Sequence, residues 1–255
     1  MSQHPLTGRH ALITGGGTGI GLAIAKALAG AGAQVTITGR RAEVLEEAAA
    51  ATPGLHALQM DVADEDSLRP GCEAAIDARG PVTICIPNAG IAEGKAIHKM
   101  DMAFWRRMMA INLDGAMLTA QACLDGMHRE GWGRMIFIAS IAGLKGLKGA
   151  PAYTASKHGM IGLMRGLSED FLGSGLTFNA ICPGYVETDI VSRNTESIAA
   201  RAGISEEEAR KMMVKTNRHK RLIHPDEVAS AALWLCLPGS ESVNGQCIEI
   251  AGGQM

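Results

Sequence analysis

Tyr153 and Lys157 stand four residues apart in the segment YTASK at 153–157, and Ser140 lies thirteen residues before the tyrosine. Side chains four residues apart share one face of a helix. A phenol with a pKa of about 10 is a weak acid–base group at neutral pH, and an adjacent ammonium lowers that pKa. We therefore interpret Tyr153 as a proton donor or acceptor assisted by Lys157, with the Ser140 hydroxyl directed at a substrate carbonyl. Taken singly, Ser140 is also typical of a turn and Tyr153 of a packed aromatic.

A glycine-rich turn, TGGGTGIG at 14–21, connects the first strand-like run to a segment of helical period. Its glycines at 15, 19 and 21 follow the spacing G-x-x-x-G-x-G. Such a turn lets the backbone approach a ligand whose phosphates face the helix N-terminus, which predicts a pyrophosphate site. Close packing of the helix on the strand is the alternative explanation.

The second strand-like run ends at Gly39, and Arg40 and Arg41 follow. A dinucleotide-binding fold reads the adenosine ribose at this point, commonly with a carboxylate that binds the 2′-hydroxyl and repels a 2′-phosphate. Gly39 leaves room, and the planar guanidinium of Arg40 is suited to phosphate. This favours NADP over NAD, although both arginines also fit the start of a solvated helix.

Asp61 follows the third strand-like run, and the segment PNAG at 87–90 follows the fourth. Both lie where the carboxyl ends of parallel strands predict a ligand. Asp61 is suited to accept a hydrogen bond from an adenine amino group, and it is equally suited to a turn or a helix entry.

The elements that must position these residues alternate along the chain. Strand-like runs occur at 10–14, 34–38, 55–59, 82–86, 134–139, 176–181 and 246–250, and helical segments at 20–32, 41–51, 64–79, 101–128, 152–172 and 225–236. Continuously apolar strands separated by helices predict an α/β fold with a doubly wound, Rossmann-like parallel sheet covered on both faces. We expect a single domain over residues 1–255.

The segment 186–224 departs from this alternation because it is long and polar. Ser205 and Glu208 form a capping-box pattern at the start of a helix, which we expect to end among the basic residues of 215–221. We interpret this segment as a helical lid over the substrate, facing an apolar mouth at 141–151.

Composition excludes several classes of protein. Among 255 residues, 47% are hydrophobic and the formal charge is -2, which provides no field for nucleic acid or an anionic membrane. The longest apolar run, at 231–237, is too short to cross a bilayer. Six cysteines without a CxxC pair are typical of buried thiols in a reducing compartment, so we expect a cytoplasmic protein without a metal site, nucleic acid or membrane partner.

Several stretches together resemble the short-chain dehydrogenase/reductase family. They are TGGGTGIG, the NAG of PNAG, Asn112 in INLDG, Ser140, YTASK and CPGYVET at 182–188. The segments YTASKHGMIGL, FNAICPGYVETDI and RLIHPDEVASA are similar to 3-oxoacyl-thioester reductases and polyketide ketoreductases within it. The match covers nearly the whole chain.

The resemblance implies a catalytic tetrad of Asn112, Ser140, Tyr153 and Lys157, in which Lys157 also holds the nicotinamide ribose and Asn112 helps to position a proton-relay water. The implied cofactor residues are Gly15, Thr18, Gly19, Ile20, Gly21, Arg40, Asp61, Val62, Asn88, Ala89, Gly90, Tyr153, Lys157, Pro183, Gly184, Val186 and Thr188. One position departs from the family, which usually has two asparagines before Ala-Gly. Pro87 replaces the first, so the bonds of that side chain are missing.

We therefore expect an oxidoreductase that transfers a hydride between NADP, or alternatively NAD, and a ketone or secondary alcohol such as a 3-oxoacyl thioester. A secondary-alcohol dehydrogenase that uses NAD on a small cyclic or aromatic alcohol is one alternative. A non-catalytic dinucleotide-binding regulator is another, because fold does not fix function. Glycines at 159, 162 and 166 permit close approach of another helix, and together with the family resemblance they predict a homotetramer.

Overall fold

All seven predicted strands form one parallel sheet in the computed structural model, which describes residues 4–189, 191–192, 195–196, 199 and 203–254. The strands are β1 His10–Thr14, β2 Gln34–Gly39, β3 Leu55–Gln59, β4 Val82–Ile86, β5 Gly133–Ile138, β6 Leu176–Pro183 and β7 Cys247–Ile250. They pair in the order β3-β2-β1-β4-β5-β6-β7, and every pairing is parallel. The predicted doubly wound α/β sheet is therefore confirmed.

Helices cover both faces of this sheet. They are α1 Gly19–Gly30, α2 Ala42–Ala50, α3 Glu65–Arg79, α4 Met102–Met109, α5 Gly115–Glu130, α6 Pro151–Asp170, α7 Glu206–Thr216 and α8 Pro225–Cys236. One core cluster joins the sheet to α1, α2 and α8, and a second joins it to α3, α5 and α6. Because both faces are covered, the central strands β1, β4, β5 and β6 are buried at every residue, which explains their continuous apolar runs.

The direction of winding reverses beside β1, which pairs with β2 on one side and with β4 on the other. In open α/β sheets, ligands bind outside the carboxyl ends of the strands at such a reversal. The glycine-rich turn after β1 and the PNAG segment after β4 both lie at this edge.

The helix predicted over 101–128 is confirmed as a continuous helical segment over 102–130, and it contains a π-helical turn that was not predicted. The structure has α4, a π-helical turn over Ala110–Asp114, and α5. Apolar periodicity is nearly the same on both sides of the turn, so the pattern does not reveal the extra residue that a π-helical turn inserts.

The segment 186–224, which we interpret as a lid, contains α7, and this helix begins at the expected capping box. The Ser205 Oγ accepts from the backbone N–H of Glu208, and the Glu208 carboxylate accepts from the backbone N–H of Ser205. The helix ends at Thr216, within the expected basic stretch. Residues 190, 193–194, 197–198 and 200–202 of the lid segment lie outside the described residues.

Candidate active site

A cavity of about 880 Å³ opens at the carboxyl edge of the sheet. It brings together every predicted site residue except Asn112: Gly15, Thr18, Gly19, Ile20, Gly21, Arg40, Asp61, Val62, Asn88, Ala89, Gly90, Ser140, Tyr153, Lys157, Pro183, Gly184, Val186 and Thr188. These residues come from the carboxyl ends of six strands and the segments that follow them, including the start of α1, and from helix α6. Their convergence is a property of the sheet topology, because parallel strands deliver all their carboxyl ends to one edge.

The glycine-rich turn at the start of α1 has no room for side chains. A Cβ on Gly21 would lie 2.4 Å from the Gly15 carbonyl oxygen, and Gly15 has a φ of +65°. The side chain of Thr18, at the N-cap of α1, makes no capping hydrogen bond. Amides of the first helical turn are therefore left for a ligand in the cavity, which is the arrangement that binds phosphate at a helix N-terminus.

Asn88 joins the end of β4 to the glycine-rich turn. Its Nδ2 donates to the carbonyl oxygens of Thr14 and Gly15 at 2.8 and 3.2 Å, and the Thr14 Oγ1 accepts from the backbone N–H groups of Asn88 and Ala89, each at 3.0 Å. Pro87 is buried, and its carbonyl oxygen accepts from the Ile138 N–H at 3.0 Å. The missing first asparagine therefore leaves both the pairing toward β5 and the Asn88 bonds in place.

Arg40 and Asp61 line the adjacent part of the cavity. Arg40 is exposed, and in the described parts of the chain no carboxylate forms an ion pair with its guanidinium. Its carbonyl oxygen accepts from Gln59 Nε2 at 2.9 Å, which fixes the backbone at this point. Asp61 Oδ1 accepts from the Ala63 N–H at 3.0 Å. Asp61 is thus a turn carboxylate, as its alternative interpretation stated, and it also faces the cavity.

Tyr153 and Ser140 face each other across the inner end of the cavity. Burial raises the pKa of Tyr153, and a hydrogen bond with the Ser140 side chain acts in the opposite direction. Ser140 follows β5 by two residues and caps a short 3-10 helix, since its Oγ accepts from the Ala142 N–H at 3.1 Å. The same hydroxyl is therefore both a turn residue and a neighbour of the phenol.

Lys157 lies one helical turn after Tyr153 and is only 4% exposed. Its Nζ donates to the Ile138 carbonyl oxygen at 2.9 Å, and burial lowers its pKa to about 8. The expectation that Lys157 lowers the pKa of Tyr153 is not met in this structure. Burial of the phenol is the largest influence on the Tyr153 pKa, and the ammonium is directed at a backbone carbonyl instead.

Asn112 is fully buried in the π-helical turn, behind the cavity wall. Its Oδ1 accepts from the Ile91 N–H at 2.8 Å, and its Nδ2 donates to the Ile91 carbonyl oxygen at 2.9 Å and to Ser156 Oγ at 3.1 Å. A Cβ on Gly90 would lie 3.1 Å from this Oδ1 and 3.7 Å from the Nζ of Lys157. The Asn112 side chain thus ties the segment after PNAG to the helix that carries Tyr153.

Three groups of positioning residues were missed by the sequence reasoning. Thr14 joins the ends of β1 and β4, and Ser156 bridges Asn112 to the Tyr153 carbonyl oxygen, to which its Oγ donates at 2.8 Å. The sequence did contain a signal for both residues, because Thr14 lies beside the glycine-rich turn and Ser156 lies inside YTASK. Asn217 and Gln254 meet through their side-chain amides, and Asn217 Nδ2 donates to the Tyr185 carbonyl oxygen at 3.1 Å. No pattern in the sequence indicates that contact.

The outer end of the cavity, formed by the mouth at 141–151 and the segment 186–224, combines apolar side chains with Lys148, Asp189 and Ser192. Its lining includes Ile141, Leu147, Ala150, Tyr185 and Met213. The two lysines of the mouth behave differently. Lys148 is exposed at the rim, whereas the Nζ of Lys145 donates to the Gln254 carbonyl oxygen at 2.6 Å and is not part of the lining.

Comparison with known proteins identifies the family. Residues 9–199 match the family model of the short chain dehydrogenases. The chain belongs to the short-chain dehydrogenase family. It is therefore an oxidoreductase, and the predicted enzyme class is confirmed.

Two curated relatives and one solved structure illustrate the range of this family. D-beta-hydroxybutyrate dehydrogenase of Cupriavidus necator is 35% identical, over 97% of this chain and 98% of its own length. The 3-oxoacyl-(acyl-carrier-protein) reductase of Aquifex aeolicus is 31% identical, over 97% of this chain and 98% of its own length. A crystal structure of a variant actinorhodin polyketide ketoreductase with NADPH matches with a TM-score of 0.92 and 32% identity, covering 96% of this chain and 97% of the other.

Two further features of the described residues bear on partners. No group of three or more His, Cys, Asp or Glu side chains is arranged to hold a metal ion within the part of the chain that the structure describes. None of the described helices combines the length and the apolar character needed to cross a membrane.

Proposed function

We propose that the enzyme transfers a hydride between NADP(H) and a ketone or secondary alcohol, with a 3-oxoacyl thioester as the leading substrate class. The observation that carries the proposal is the meeting of Ser140, Tyr153 and Lys157 in one cavity with the glycine-rich turn and Arg40. A half-buried phenol beside a hydroxyl and a buried ammonium serves proton transfer, and a dinucleotide-binding regulator does not require that arrangement.

The residues of the cavity fit a phosphorylated dinucleotide. The uncapped first turn of α1 and the close glycine packing at Gly15 and Gly21 suit a pyrophosphate. Gly39 has space, since a Cβ there would meet only Leu45 at 3.7 Å, and the neighbouring Arg40 is an exposed cation suited to a 2′-phosphate. The similar ketoreductase was crystallised with NADPH, which also supports NADP as the cofactor. NAD remains the alternative.

The bound nicotinamide supplies the hydride, and the residues of the chain supply orientation and the proton. Burial keeps Tyr153 protonated at neutral pH, so its hydroxyl is ready to donate to a carbonyl oxygen in the reductive direction. The Ser140 hydroxyl orients the same oxygen. Lys157, with a pKa of about 8, is mostly protonated at neutral pH. Its ammonium would donate a hydrogen bond to the nicotinamide ribose of a bound cofactor.

Asn112 acts as a positioning residue in this proposal. Its side-chain amide is hydrogen-bonded to Ile91 and Ser156. A proton-relay water would therefore be held by the Asn112 backbone in the π-helical turn and not by its side chain. π-helical turns often occur at functional sites.

The substrate class rests on the apolar side chains of the outer cavity and on the relatives. Ile141, Leu147 and Met213 provide contacts for an acyl chain rather than for a sugar or a polar amine. Proteins that match nearly the whole chain include a 3-oxoacyl-(acyl-carrier-protein) reductase, which is named for a 3-oxoacyl thioester, and a polyketide ketoreductase, which is named for a polyketide.

Steady-state kinetics with NADPH and NADH, on panels of 3-oxoacyl-CoA, aromatic ketones and cyclic ketones, tests the proposal. We expect the highest kcat/KM with NADPH and a 3-oxoacyl thioester. Higher kcat/KM on cyclic or aromatic substrates with NADH would favour the alternative alcohol dehydrogenase. Cofactor binding without turnover on any panel would favour the regulator.

We propose a homotetramer in the cytoplasm. On α6, Gly162 and Gly166 are exposed, with open space around them, whereas Gly159 is packed against Leu113 of the same chain. The open pair leaves a face on which a second copy of the helix can approach closely. The six cysteines are free thiols, which suits a reducing compartment.

A further inference from the structure

A second, basic cleft lies on the outer side of the lid helix α7. It has a volume of about 460 Å³, is widely open to solvent and is lined mainly by carbon atoms of Lys211, Val214, Lys215, Arg218 and Lys220, which we call the basic cleft. Its four cations are exposed, and Val214 is half-buried. The chain as a whole carries a net charge of -2, so this concentration of positive charge is local.

Most of this charge is uncommitted. Lys211 pairs with Glu207 at 2.6 Å, an exposed contact four residues apart on the helix. Among the residues that the structure describes, no carboxylate pairs with Lys215, Arg218 or Lys220. Three like charges around one concavity repel each other until an anion enters it.

The backbone at Lys220 adds an independent observation. Lys220 has a φ of +59° and is the one described residue other than glycine in the left-handed region. Its N–H donates to the Asn217 carbonyl oxygen at 2.8 Å and closes a turn in which glycine is the least strained residue. The cleft therefore carries a long cationic side chain at a backbone position where glycine, which has no side chain, is the favoured residue.

The cleft and the catalytic cavity lie on opposite faces of α7 and share no lining residue. Met213 lines the cavity, while Lys211, Val214 and Lys215 of the same helix line the cleft, so roughly one helix diameter of about 10 Å separates the two. The aliphatic stem of Arg218 lies over Gly253 of the C-terminal turn, and Gln254 of that turn accepts from Lys145 of the substrate mouth. A substrate whose acyl group occupies the cavity must therefore pass around α7, beside this C-terminal turn, to place its other end in the cleft.

We propose that the basic cleft binds the phosphate-bearing nucleotide end of a coenzyme A thioester whose acyl group occupies the catalytic cavity. This inference rests on the proposed function, since it specifies the carrier of the 3-oxoacyl substrate. An open cleft of this size suits a nucleotide, with the aliphatic side of Val214 beneath the base and, on the phosphates, the three cations that pair with no described carboxylate. A carrier protein would instead need a broad contact area, typically about 800 Å² on each partner.

The first test measures, by calorimetry, the direct binding of adenosine 3′,5′-bisphosphate to the full chain saturated with NADP. Saturation keeps the probe out of the cofactor site. Each neutralised exposed charge should weaken binding about two- to five-fold, so Lys215→Ala with Arg218→Ala should weaken it roughly 4- to 25-fold. Lys26→Ala, which removes an exposed cation on α1, is the matched control and should leave the affinity unchanged.

Lys220→Gly separates binding from folding. The substitution removes a charge and relieves the left-handed backbone, so the melting temperature should stay the same or rise while affinity for the bisphosphate falls two- to five-fold. Unchanged affinity in both Lys220→Gly and the double variant would overturn the proposal.

The second test compares a 3-oxoacyl-CoA with the same acyl group on N-acetylcysteamine, which lacks the phosphates. The double variant should raise KM for the CoA ester roughly 4- to 25-fold at unchanged kcat and leave the N-acetylcysteamine ester unaffected. Equal KM values for the CoA ester in wild type and variant would reject the cleft and leave the proposed function intact. If wild type reduces neither ester, the proposed thioester function fails, and calorimetry still decides whether the cleft binds the bisphosphate.

A raised KM only for a thioester on a carrier protein would show that the occupant is a protein surface and would overturn the coenzyme assignment.

Discussion

Exchanging Gly39→Asp together with Arg40→Leu is expected to reverse the preference for NADP over NAD. Gly39 is outside the left-handed region, and a Cβ there meets only the Leu45 methyl groups at 3.7 and 3.9 Å, so the Cβ of an aspartate has room at this position. The new carboxylate supplies an acceptor for a ribose hydroxyl and repels a 2′-phosphate, while Arg40→Leu removes the attractive charge.

The magnitude follows from the surroundings of Arg40. A charge-assisted hydrogen bond contributes about 1.5 to 3 kcal/mol, which corresponds to a roughly 10- to 150-fold preference. Arg40 is exposed, so solvent screening places the expected value at the lower end of that range. The glycine-rich turn contains no basic residue to add a second charged contact. Wild type should therefore prefer NADPH by about tenfold and retain measurable activity with NADH.

The assay is kcat/KM for NADPH and NADH with one saturating ketone, for wild type, Arg40→Leu and the double variant. Arg41→Leu is the matched control, because Arg41 lies beside Arg40 and is also exposed. If wild type has the higher kcat/KM with NADH and Arg40→Leu leaves the ratio unchanged, Arg40 is only a solvated residue before α2. A change of ratio in Arg41→Leu alone would move the phosphate contact to that residue.

Three further predictions concern the proton, the cavity wall and the assembly. Tyr153→Phe should bind cofactor normally by fluorescence titration but lose at least about 100-fold in kcat, and substantial residual turnover would reject Tyr153 as the proton donor. Asn88→Ala removes both bonds from Nδ2 to the glycine-rich turn, so it should lower the free energy of unfolding by about 1 to 3 kcal/mol in denaturant titrations and weaken cofactor binding. Light scattering at micromolar concentration should give a tetramer, and Gly162→Glu, placed on the open face of α6, should give smaller species; a monomeric wild type would exclude the assembly.

The order of strands and helices was predictable because burial on both faces makes each central strand a continuous apolar run. The bounds of β1, β3 and β4 agree with the sequence prediction to the residue. The π-helical turn at Ala110–Asp114 was not predictable, because one inserted residue changes the backbone hydrogen bonds without disturbing the apolar spacing.

The residues of the site were predictable as a set because they occupy the segments after the strands. The interactions that these residues make were not predictable from the sequence. Lys157 is directed at the Ile138 carbonyl oxygen, and Asp61 serves a turn as well as the cavity, because each group uses the nearest backbone partner that the three-dimensional fold supplies. The pKa of Tyr153 depends on the depth of burial, which spacing along a helix does not determine.

Burial of Lys157 also makes a prediction about stability and pH. Its folded pKa of about 8 lies below the unfolded value of 10.5, so between these pH values the unfolded chain holds a proton that the folded protein has released. Stability from this group therefore rises with pH over that window, by up to about 3 kcal/mol at 1.36 kcal/mol for each pKa unit. Tyr153 acts oppositely above pH 10, where the folded protein keeps a proton that the unfolded chain loses, and stability falls. Urea titrations of wild type and Lys157→Met from pH 7 to 10 isolate the lysine, since methionine has similar length and no charge. The difference in unfolding free energy should shift steadily in favour of wild type as pH rises, and a flat difference would mean that Lys157 keeps its proton throughout and that its bond to Ile138 compensates fully for burial.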